Sequence, residues 1–183
     1  MTSEKKVIHT VFDKDSTVYN NGQSGECYFT ALVISMRHAK EVDGLTICHG
    51  VCVNSLDEKP MMHAWVEFPV ELEAIGSTLW MCVDAAQPDK DVVVIPRELY
   101  YMVGRIDPEL IRRYTPKEAL DLSIKTGHCG LWHAPLTDMT EYEGEMKVDA
   151  EGLIIGDADE PDITKEERQK LIDLAKEKVG YEQ

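Results

Sequence analysis

The stretch from Cys27 to Lys40, CYFTALVISMRHAK, constrains this chain more than any other. It is apolar almost all the way round. A helix with one wet face carries a stripe, so a helix of this kind has to be buried on several sides, as the centre of a core. Asp43-Gly44 ends it. Residues 45–54 then read as a strand, His63 to Phe68 alternates as a strand does, and Thr78 to Val83 forms another that ends at Asp84. Residues 92–95 are extended. Pro108 to Tyr114 and Pro116 to Lys125 read as helices. The second has Thr115 at N-cap, Pro116 at N1, Glu118 at N3 and Gly127 beyond its end. Lys6 to Phe12 reads as a strand, and Asp13 to Glu26 as polar turns. Residues 128–163 are loop-rich with a short strand at 152–155. A last helix ends near Val179, striped by Leu171, Leu174, Ala175 and Val179. A buried helix, then three strands, then helices is the order of an α+β fold with an antiparallel sheet, not of repeated βαβ units.

At 183 residues the chain suits one domain. Its net charge of −15 is uneven: Leu136 to Gln183 holds fifteen acidic and six basic residues, a net of −9. The expected organisation is a domain over 1–135, with an acidic loop and C-terminal helix over 136–183 packed on it. Such acidity is a solvated surface, and it excludes nucleic acid as a partner because no basic footprint exists. No run of eighteen apolar residues suggests a membrane partner, and the N-terminus lacks the apolar core of a signal peptide. The expected location is cytoplasmic.

Five cysteines, an odd number, point to free thiols in a reducing compartment. Cys48, Cys52, His128 and His133 have spacings that could suggest zinc. Cys48 and Cys52, however, lie in an apolar strand, where free cysteine behaves as a small hydrophobe. The expectation is no metal and no cofactor.

Three residues carry chemistry together. Cys27 follows a glycine-containing turn and opens the buried helix, where the dipole and unpaired N–H groups favour a thiolate and can hold an oxyanion. His63 starts the alternating strand, and Asp84 ends the next. If these strands pair through a loop at 70–77, residue 63 faces 84 and 69 faces 78, bringing imidazole and carboxylate within ~5 Å of one another. Nucleophile, base and orienting acid would then stand in one cleft.

The segment Gly25-Glu26-Cys27-Tyr28-Phe29-Thr30-Ala31 resembles the nucleophile helix of transglutaminase-like and papain-like cysteine enzymes. His63-Ala64-Trp65-Val66-Glu67-Phe68 resembles the histidine strand of the transglutaminase-like superfamily, and Val83-Asp84-Ala85-Ala86 its aspartate strand. The order and the intervals of 36 and 21 residues also fit. Here Ala85-Ala86 stands where the motif usually reads Pro-Thr, and Tyr28 where it has Trp. The resemblance covers residues 20–90. It implies a papain-like (transglutaminase-core) fold, in which a helix carrying Cys27 packs on an antiparallel sheet carrying His63 and Asp84. It makes Cys27 the nucleophile, His63 the general base and Asp84 the orienting residue. Gln23 is the candidate side-chain oxyanion donor, and Tyr28 and Trp65 are candidate walls of the substrate site.

The function this implies is acyl transfer on a peptide, amide or acyl substrate, with hydrolysis expected over transfer to an amine. Two alternatives are a catalytically inactive binding module of the same fold and a zinc protein built on the four residues above. The C-terminal helix or the 136–163 loop could cover the cleft.

Overall fold

A computed structural model of the chain describes residues 27–53, 58–85, 92–133 and 173. Helix α1 (Cys27–His38) is followed by strands β1 (Thr46–Val53), β2 (Pro60–Leu72), β3 (Ser77–Asp84) and β4 (Val93–Pro96). Helix α2 (Arg97–Gly104), strand β5 (Arg112–Tyr114) and helix α3 (Pro116–Thr126) complete the order. The five strands form one antiparallel sheet in the order β4-β3-β2-β1-β5. The architecture is α+β, as the sequence suggests.

The central strand β2 sorts its side chains by alternation. Ala64, Val66 and Phe68 face one way, and with Ile47 and Val83 they form the floor under α1, whose Ala31, Leu32, Ile34 and Met36 are buried in the same core. Ala119 and Leu120 of α3, with Tyr114 and Trp132, close that layer. Trp65 faces the other way and packs with Cys48, Cys82, Ile106 and Ile111, against Tyr100 and Tyr101 of α2. The sheet is therefore covered on both faces, and β2 is buried without interruption from Met62 to Phe68.

Helix α3 starts as the sequence dictates: Thr115 Oγ1 accepts from the Glu118 N–H, and Glu118 reaches back to the Thr115 N–H. Gly127 ends it with a φ of 81°. The expected helix over Pro108 to Tyr114 does not form. Pro108–Leu110 makes a single 3₁₀ turn capped by the Asp107 side chain, and Arg112–Tyr114 then pairs with the free edge of β1. The edge strand satisfies β1's outward backbone groups, which a helix there would leave bare. Helix α2 has no counterpart in the sequence reading. Its Met102 and Val103 are exposed.

The readings placed on 1–26, on 134–163 and on the acidic tail lie outside the described residues, as does the last helix apart from Asp173, which is helical. No described helix is long and apolar enough to cross a membrane.

Candidate functional site

His63 and Asp84 meet. His63 Nε2 lies 2.9 Å from Asp84 Oδ2, and both residues are buried. The register that brings them together differs from the expected one. Val66 pairs with Val83 and Leu72 with Ser77, so the pairing centre lies one residue later in the chain than a 70–77 loop implies. The strands run on into a 3₁₀ turn, Glu73–Ile75, closed by Gly76 in the left-handed region. Asp84 is therefore a diagonal neighbour of His63, not its direct partner. A slip of two residues keeps both side chains on one face, whereas a slip of one would have separated them.

The carboxylate decides which nitrogen carries the proton. Ionised Asp84 can only accept, so His63 Nε2–H donates, and in the neutral ring Nδ1 keeps its lone pair. Nδ1 is buried and makes no hydrogen bond of full geometry. Cys27 stands near enough to the ring to act on its protonation. Burial alone would pull His63 down. Burial is the largest single influence, but the hydrogen bond to Asp84, the interaction with Cys27 and the electrostatic pull of both together outweigh it, so His63 sits well above its ordinary value. Cys27 is itself buried and opens the described part of α1. Among the described residues the β2–β3 pairing ends at Val66 with Val83.

Trp65 lies beside the site. Its ring stacks on that of His63 at 6.3 Å and 25°. Its indole N–H donates to Glu67 Oε1 over 3.0 Å. Glu67 is buried and also accepts from Tyr101 and from Arg113 Nε. Tyr28 packs edge-on against His49, with 4.7 Å between ring centroids. Gln23 lies outside the described residues. Tyr100, absent from the sequence reading, donates its hydroxyl to Asp84 Oδ2 over 2.9 Å, the oxygen that His63 also uses.

All five cysteines are unbonded. Burial pushes Cys48, Cys52 and Cys82 up, so these three stay thiols at neutral pH. Cys48 packs with Trp65 and Cys82 in the α2 layer. His49 is boxed between Trp132, Tyr28 and Tyr114, and burial pulls it from 6.5 to about 3, assisted by His133, His128 and His63. Among the described residues no group of three His, Cys, Asp or Glu side chains is arranged to hold a metal ion.

No protein-family model matches the chain, nor does any curated protein or solved structure.

Proposed function

We propose that the protein is a cysteine-dependent acyl-transfer enzyme of papain-like, transglutaminase-core architecture, and that its reaction is hydrolysis of a peptide or other amide. The observation that carries the reading is the state of His63. Its Nε2–H is committed to Asp84, leaving Nδ1 as the only basic nitrogen, with the Cys27 thiol beside it. In this reading Nδ1 takes the thiol proton, and the thiolate attacks the substrate carbonyl carbon. Backbone N–H groups at the start of α1 hold the oxyanion. The carbon–nitrogen bond breaks as His63 returns its proton to the leaving amine, and a thioester remains on Cys27. A water, deprotonated by His63, attacks the thioester and releases the carboxylic acid and the free thiol. Asp84 stabilises the imidazolium at each stage without taking the proton.

The test is alkylation at pH 7 with iodoacetamide, read by peptide mass. Cys27 should react at least ~10-fold faster than Cys48, Cys52 or Cys82, which burial keeps protonated. A panel of peptidyl and acyl amides should then show turnover that Cys27→Ala abolishes with the fold intact. Uniformly slow labelling together with no turnover would favour an inactive module.

A further inference from the structure

We propose that Tyr100 is a positioning residue of this site, holding the Asp84 carboxylate in the orientation in which Oδ2 receives His63. The proposal rests on the acyl-transfer reading for its effect on turnover, but its geometry does not.

Asp84 ends β3, and a carboxylate at a strand end can rotate about χ1 and χ2 unless something fixes it. Two donors converge on one of its oxygens: His63 Nε2 and the Tyr100 hydroxyl, each at 2.9 Å. The phenol is in turn fixed by its ring, which packs on Trp65 at 5.6 Å and 49°. Trp65 is pinned through its indole N–H to Glu67, which Tyr101, the next residue of α2, also engages. Consecutive tyrosines thus each grip one of the two carboxylates buried in the sheet. Helix α2 orders the acid and the ring stacked against the base.

Removing the phenol has a definite sign. A neutral donor on Oδ2 draws off part of the carboxylate's charge. Without it, more of that charge acts on the imidazolium, and His63 holds its proton more tightly. The other titratable groups acting on His63 are Cys27 from α1 and His49 and Cys52 from β1, and those near Tyr100 are Cys52 and Cys82. None of these changes in the variant.

The experiment is Tyr100→Phe in the full chain, with Tyr101→Phe as the control that loses a donor to Glu67 but not to Asp84. His63 is followed by ¹⁵N-histidine NMR across pH, its signal assigned by its loss in His63→Gln. Tyr100→Phe should raise the His63 midpoint by ~0.5–1 pH unit. It should lower kcat about tenfold with KM within twofold, as expected of a group that orients the base without touching substrate. Tyr101→Phe should leave the midpoint in place. In an Asp84→Asn background, Tyr100→Phe should no longer move His63. An unmoved midpoint in Tyr100→Phe overturns the proposal, as do equal shifts in both tyrosine variants or a shift that persists without Asp84. If the wild-type chain turns over no acyl substrate, the functional reading fails, yet the titration still decides the role of Tyr100.

Discussion

His49 provides the sharpest test of how this core is built, because it should make the fold sensitive to acid by a calculable amount. The ring is buried in β1, stacked on Trp132 at 4.8 Å and 28°, and both of its nitrogens lack a partner. Burial holds it near a pKa of about 3, against 6.5 when exposed. The native state therefore binds fewer protons than the unfolded chain, and stability falls as pH drops below 6.5. Between pH 7 and pH 5 the unfolded ring fills with protons while the folded one stays empty, and the linkage integral gives a loss of about 2 kcal/mol. His49→Phe keeps an aromatic ring of similar shape against Trp132 and Tyr28 but cannot titrate. His63 has the opposite sign. Its folded pKa is raised, so its contribution is complete below 6.5 and is lost as pH rises through the folded value. It is present in both proteins, so the comparison between them isolates His49. The assay is urea unfolding of both proteins at pH 5, 6, 7 and 8. The variant should match or exceed the wild type at pH 7, because two unsatisfied buried nitrogens are removed. Its advantage should grow by about 2 kcal/mol at pH 5, roughly 1 M in the urea midpoint. Stability curves that run parallel from pH 7 to pH 5 would refute the reasoning, since they would mean that the ring titrates freely inside the fold.

Asp84→Asn should bring the His63 midpoint down, because burial then acts with much less opposing it, and should cost ~10²–10⁴ in kcat/KM on any acyl substrate; NMR titration and steady-state rates read the two effects. Glu67→Gln keeps the volume of a side chain that is only 1% exposed but weakens the bonds from Tyr101 and Arg113, and should cost about 2 kcal/mol in urea unfolding. Gly130→Ala would set a Cβ 2.2 Å from that of Tyr28, the residue after Cys27. The backbone has to move, so a loss of ~1–3 kcal/mol is expected in thermal unfolding, with slower alkylation of Cys27.

The sequence announces the pairing of His63 with Asp84 for a physical reason, and it mistakes the register for a related one. Alternation assigns faces, and faces repeat every two residues. Any even slip brings the ring and the carboxylate to one side, so the meeting survives an error in the turn. The turn itself was not legible: Val70 to Leu72 and Ser77 continue the ladder, and only residues 73–76 leave it. The capping box of α3 was legible because all of its bonds are local. Arg112 to Tyr114 misled because a short edge strand is defined by its partner on β1, which its own residues do not encode.

Glu67 and Tyr100 show a deeper limit. In the alternating run from His63 to Phe68, an acidic residue on the polar phase reads as solvent-facing, as it would in a sheet with one wet side. Here α2 covers that side, and the polar phase of β2 becomes a second interior whose contents are a ring, an indole and a carboxylate. Such an interior is tolerable only if every charge is answered. The answers come from α2 and β5, 16 residues along the chain for Tyr100 with Asp84, and 34 and 46 for Tyr101 and Arg113 with Glu67. A helix that supplies them carries tyrosines at two adjacent positions, about 100° apart around its axis, so that one reaches Asp84 and the other Glu67.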